Sequence, residues 1–147
     1  MGLLERHGEV RTIVISNTKR KTLEAHVNEY GEPGSVVYSD GLKSYNNLAN
    51  QFVHNVIDHA EKYVEGHIHV NGIENFWSLL KRSIKGTYVS VEPYHLFRYL
   101  DEQSFRFNNR KVNDSDRFIK AAQNITDKRV TYKQLTGKEP AGYETSH

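Results

Sequence analysis

One stretch constrains this chain more than any other. From Asn71 to about Lys85, the residues Ile73, Phe76, Trp77, Leu80 and Ile84 recur at the spacing of a single apolar stripe along an α-helix. A helix with such a stripe has to lay it against other apolar surface, so the chain must fold into a packed domain. Asn71, Glu74, Ser78, Lys81 and Lys85 fall beside the stripe and stack on neighbouring turns, which predicts a polar flank along the same helix. The 147 residues are enough for one domain with a real core and too few for two, so every other feature has to share this fold.

The rest of the chain alternates between strand and helix signals. Residues 9–16, EVRTIVIS, are rich in β-branched side chains, and the preceding GLLERHG reads as a partner strand turning at Gly8. Asn17 or Thr18 is placed to cap a helix that carries Leu23, Val27 and Tyr30 and stops at Gly31 and Pro33. SVVYS, residues 35–39, reads as a short buried strand ending at Asp40-Gly41, followed by a brief helix in LKSYNNLANQF and a second short strand over 54–57. The stretch DHAEKYVEGHIH reads as irregular. Further helices are expected from about Pro93 to Asn108 and from about Asp114 to Asn124, and the tail TYKQLTGKEPAGYETSH is turn-rich. The class implied is α/β.

Composition narrows the functions open to such a domain. Lys and Arg number 20 against 18 Asp and Glu, a net charge of +2, which excludes a polybasic protein and leaves room for a local charged surface. The absence of cysteine excludes a disulfide framework and any thiolate zinc site, and fits a reducing compartment. No apolar run approaches the roughly 20 residues of a membrane span, and no signal-peptide core is visible, so a cytoplasmic location without membrane contact is expected.

Two features carry possible chemistry. Phosphodiester transfer on DNA activates an oxygen nucleophile and stabilises a leaving oxygen, and two divalent ions held by carboxylates from separate elements supply both. Asp40 at a strand end and Glu74 on the polar flank form such a set, with Lys81 two helical turns beyond Glu74 to meet a phosphate. Each has a plainer reading: Asp-Gly after a strand is a turn, and a Glu with a Lys seven residues later is a solvated face. Phe76 and Trp77, at helical spacing with Leu80, are assigned to the core. His54, His59, His67 and His69 admit a zinc cluster, although no clear ligand spacing supports one. Arg106, Asn108, Asn109 and Arg110 fit a helix C-terminus as well as a phosphate contact.

The surrounding residues add a resemblance. VYSDGLKSYNNL, HIHVNGIENFWSLLKRSIKGTY and HLFRYLDEQSFRFNNR resemble insertion-sequence transposases of the ISXO-like DDE branch, and the similarity runs from about Gly2 to Gly137, most specifically over 71–88. The resemblance implies a ribonuclease H-like mixed sheet flanked by helices over 1–137, with 138–147 as a flexible tail. It also implies DNA transposition by hydrolysis and strand transfer, with a two-ion Mg²⁺ or Mn²⁺ site. By position, Asp40 matches the second acid, Asn71 and Glu74 compete for the third ligand, and Lys81 is the downstream basic residue. Arg82, Lys85, Arg106 and Arg110 fall where DNA backbone would be met, with Glu102 and His69 supporting the site. The partners implied are double-stranded transposon ends and target, bound by a homo-oligomer in the cytoplasm at the nucleoid.

The chain departs from the family at one point. The family's first aspartate belongs on a strand upstream of the opening hairpin, and Glu5 and Glu9, the only acids before the second strand, do not sit in an apolar run. The expectation is therefore a truncated or split transposase, inactive alone, with an exposed sheet edge where the missing strand would pair. The alternatives are a non-catalytic DNA-binding or oligomerising remnant that modulates an intact copy, and a zinc hydrolase built on the histidines.

Overall fold

The structure is a computed structural model and describes residues 1–39, 51–56, 71–126 and 128–138. It opens with the expected hairpin. Strand β1, Gly2–Leu4, pairs antiparallel with β2, Val10–Thr12, with Leu3 opposite Arg11. The turn closes where Gly8 donates its N–H to the Glu5 carbonyl at 3.0 Å, and the Glu5 N–H bonds the Glu9 carbonyl at 3.1 Å. Because successive strand residues point to opposite faces, one hairpin serves two cores. Leu3 packs with Met1 and Val37 around buried Val27 and Phe52, while Leu4 packs against the cluster of Val10, Phe76 and Phe107.

Helix α1, Arg20–Tyr30, buries Leu23 and Val27, as its apolar spacing requires. Its cap position is Lys19, which makes no side-chain capping bond, so the expected cap at Asn17 or Thr18 is displaced by one or two residues. Asn17 braces the helix from upstream: its side-chain oxygen accepts from the Lys19 N–H at 3.0 Å and from the Thr22 hydroxyl at 2.8 Å. The helix ends where the Gly31 N–H reaches the Val27 carbonyl at 2.7 Å. A Cβ at position 31 would lie 2.6 Å from that carbonyl oxygen and 2.8 Å from the Phe52 ring, so close approach, not turn conformation, requires glycine there.

Strands β3, Val36–Ser39, and β4, Val53–Val56, follow as a parallel pair in the register Val36 to Val53 and Ser39 to Val56. The brief helix expected after Gly41 falls almost wholly outside the described residues, and the irregular stretch before Asn71 falls outside them entirely. The α/β class is therefore observed, but the described strands form two separate two-stranded sheets, where one mixed sheet was expected. The pairs Met1/Ile13, Leu3/Arg11 and Glu5/Glu9 carry the hairpin's bonds, so the main-chain groups of Gly2 and Leu4 face away from β2. Among the described residues these groups meet no hydrogen-bond partner.

The outer edge of β2 is covered instead. Asn108 accepts from the Val10 N–H at 2.8 Å and donates from its amide nitrogen to the Val10 carbonyl at 3.0 Å, standing in for a neighbouring strand. It closes α3, Leu96–Asn108, which starts through a 3₁₀ turn at Pro93–His95 and buries Leu100, Gln103 and Phe107. Before it, α2 spans Asn71–Ser83 and runs on into a π-helical turn, Ile84–Tyr88. Helix α4, Asp114–Gln123, is capped by the Asn113 side chain on the Asp116 N–H. The turn-rich tail holds one further element, the single-turn α5, Tyr132–Leu135, started by reciprocal bonds between Thr131 and Gln134. Residues 139–147 lie outside the described residues.

The core centres on Phe76, which has no exposed surface. Its ring meets Trp77 edge-on at 5.1 Å and Phe107 at 5.4 Å, with Val10 beside them. Phe76→Ala is expected to lower stability by about 3–5 kcal/mol through lost contacts and the cavity left behind. Asn108→Ala is expected to cost about 1–3 kcal/mol by stranding both main-chain groups of Val10. Urea unfolding followed by Trp77 fluorescence measures both, and a loss under about 1 kcal/mol for Phe76→Ala would show that this cluster does not hold the fold.

Candidate functional site

Burying one side of α2 determines what the other side presents. Phe76 and Leu80 point into the core, so Glu74, Ser78 and Lys81 are held exposed on the flank, with Arg82 and Lys85 exposed further along. Glu74 stands in the helix's first turn and Lys81 and Arg82 in its last, positions that also complement the helix dipole. Asn71 begins the helix, and its side chain lies outside the described atoms. The strand before Asp40 is in place and ends at Ser39, but Asp40 and His69 themselves lie outside the described residues.

Strand β1 links these parts. Position 72, in the first turn of α2, is so close to Leu4 that an added Cβ would lie 2.5 Å from its Cδ2. Two residues on, the Arg6 guanidinium sits over the Tyr38 ring at 5.6 Å, and Tyr38 is two residues before Asp40. Ser39 is buried and its hydroxyl is 2.8 Å from His54 Nε2, so His54 is engaged within the β3–β4 pair. His59 and His67 lie outside the described residues. Among the described residues no group of three or more His, Asp or Glu side chains is gathered as a metal site. Nor is any helix among them long and apolar enough to cross a membrane.

On α3, Glu102 and Arg106 are tied to local partners. The Glu102 carboxylate accepts from the Tyr88 hydroxyl at 2.6 Å and from Arg106, whose Nε and Nη2 each lie 2.9 Å away. Tyr88 also meets the Tyr99 ring edge-on at 4.7 Å. The Glu102 hydrogen bond, followed by burial, holds the Tyr88 phenol above its usual pKa. Arg110 donates to the Phe107 carbonyl at 2.8 Å and lies over the Phe107 ring at 4.3 Å, as a cation finishing a helix does. Tyr88 was not singled out by sequence. Its position depends on the π-helical turn, which inserts one residue into the helical count and has no signal in the apolar stripe. The turn ends at Val89, a β-branched residue held at φ 62°.

Comparison with known proteins identifies the class: residues 1–108 match the family model described as the ISXO2-like transposase domain. An uncharacterised transposase-like protein of Haemophilus influenzae is 34% identical over 113 residues, which is 76% of this chain and 91% of that relative. The chain belongs to the ISXO2-like transposase domain family. No solved structure matches it.

The Tyr88–Glu102 bond has a measurable pH signature. The folded state holds the phenol proton more tightly than the unfolded chain, so the stabilisation is complete below the ordinary pKa of 10.0 and is lost as pH rises through the raised value. Tyr88→Phe should cost about 1 kcal/mol at neutral pH. The stabilities of the two proteins should then converge in alkaline solution. Parallel pH–stability curves would show that this bond contributes nothing.

Proposed function

We propose that this chain is a ribonuclease H-like DNA-processing core of an insertion-sequence transposase. In this reading Asp40 and either Glu74 or Asn71 hold Mg²⁺ or Mn²⁺, which when bound supplies the nucleophile activation and leaving-group stabilisation of hydrolysis and strand transfer. Lys81, Arg82 and Lys85 bind the backbone of double-stranded DNA, and Arg106 and Arg110 flank them. Glu102 braces Arg106, and His69 stands near the scissile phosphate. The protein acts as a homo-oligomer on transposon ends and target in the cytoplasm. The observation that carries the reading is the exposed row of Glu74, Lys81, Arg82 and Lys85 on the flank of a core helix, in a chain of a transposase family.

The 147 residues alone are read as inactive in strand transfer. Glu5 and Glu9 are exposed beside the hairpin turn, where neither stands in for the family's sheet-centred first aspartate. This favours, as a second reading, a DNA-binding or oligomerising form that modulates an intact copy. The transposase core and the DNA-binding form both require a DNA surface.

Binding of duplex DNA measured against salt concentration tests that surface. Replacing Lys81, Arg82 and Lys85 together with glutamine should flatten the log–log salt dependence by roughly two to three units, since each lost phosphate contact removes about 0.9. An unchanged slope and affinity would remove the helix flank as the interface. Metal-dependent strand transfer by the purified chain, lost in Asp40→Asn, would overturn the claim of inactivity and leave the metal site standing. Binding unaffected by chelator, with no transfer in any metal, fits the non-catalytic form.

A further inference from the structure

The turn that ends α2 breaks a local rule of backbone conformation. Val89 has φ 62° and ψ −50°, and the Ser90 N–H reaches back to the Tyr88 carbonyl at 2.6 Å, so residues 88–90 form a γ-turn of the rare, strained hand. A β-branched residue is poorly suited to positive φ, which glycine adopts freely. His7, the other non-glycine residue at positive φ among the described residues, sits in the hairpin turn, where such backbone is ordinary.

Packing does not offset the strain at Val89. Its side chain is 79% exposed, more than any other large apolar side chain among the described residues. A lone exposed valine needs no explanation, but one held exposed in a strained turn points to a use. The strain is held by the residue before it: Tyr88 is fixed to α3 by the Glu102 carboxylate at 2.6 Å and by the edge of the Tyr99 ring at 4.7 Å. The tip is thus preorganised, and little freedom is left to lose when a partner covers it. A Cβ built at Gly86 meets nothing within 4 Å, so there is open space beside the turn.

The surroundings select the partner. Lys81, Arg82, Lys85, Thr87 and Ser90 are all exposed, and Glu92 is the one acid in residues 81–92, a net charge of +2 for that stretch. Cations and hydroxyls of this kind suit a phosphate backbone, which offers nothing to a valine. The base steps between the phosphates do offer an apolar surface.

We propose that Val89 is an apolar wedge that presses on a base step of duplex DNA held through Lys81, Arg82 and Lys85. The wedge rests on the DNA reading of the α2 flank and names the residue there that meets bases instead of phosphates.

The test is a titration of the whole chain, labelled with carbon-13 in its valine methyl groups and nitrogen-15 in its amides, with a mixed-sequence duplex oligonucleotide in chelator. The Val89 methyl signals should move upfield, as protons lying over base rings do, and the Lys85 amide should shift with them. Val89→Gly keeps the turn and should fold at least as stably. It should bind DNA roughly tenfold more weakly, as expected for losing the burial of a side chain of this size. Its salt dependence should be unchanged, because no phosphate contact is removed. Val89→Asn, polar but tolerant of positive φ, should behave like the glycine variant. Val89 methyls that stay still while the Lys85 amide responds would overturn the wedge and leave the phosphate surface standing. Silence at both would remove the DNA reading of the flank and the wedge together. Val89 methyls that shift with protein concentration before DNA is added would assign the tip to a protein partner and overturn the wedge as well.

Discussion

Phe76 has no surface left to solvent, and the ring contacts that bury it reach Trp77 on its own helix and Phe107 on α3, with Val10 of the hairpin closing the third side. Such an interaction fixes more than stability. Once Phe76 faces inward, the 3.6-residue repeat leaves no choice about which residues of α2 face outward. The polar flank is thus a consequence of core packing, and any function carried by Glu74 or Lys81 inherits its geometry from Phe76.

The same cluster explains why so short a hairpin is stable. Two three-residue strands would be marginal by themselves. Here each face of β1 is claimed by a different set of side chains, Leu3 by the α1 side and Leu4 by the α2 side, while Asn108 occupies the outer edge of β2 with a two-point amide contact. The hairpin becomes the middle layer of the domain. Its remaining edge, at Gly2 and Leu4, keeps main-chain groups turned away from β2, and an edge of that kind is open to pairing with a further strand.

Much of this was legible in the sequence because periodicity reports burial. The stripe from Ile73 to Ile84 located α2 and assigned Phe76 and Trp77 to packing, and the β-branched run after Gly8 located the hairpin. What sequence missed depends on exchanges between distant or irregular segments. Nothing in the composition of FRFNNR says that Asn108 will substitute for a strand 98 residues away, when a helix-end asparagine is ordinarily read as a cap. The Tyr88–Glu102 bond needs a π-helical turn that apolar spacing does not encode, and α5 rests on a Thr-x-x-Gln pattern hidden inside a turn-rich tail. For the candidate site, residue types were legible in the sequence, and the fold adds exposure for Glu74, Lys81, Arg82 and Lys85. Asp40 and His69 fall outside the described residues, so that half of the constellation still stands on the strand ending at Ser39 and on the family resemblance.

The proposed function requires Asp40 and the outer flank of α2 to hold divalent cations together. Paramagnetic broadening by Mn²⁺, read along the backbone amides, tests it directly. The account predicts that substoichiometric Mn²⁺ broadens residues around Asp40 and around Glu74 together, and that Asp40→Asn abolishes both effects at once. Broadening confined to one of the two segments, or surviving unchanged in Asp40→Asn, would contradict a shared site.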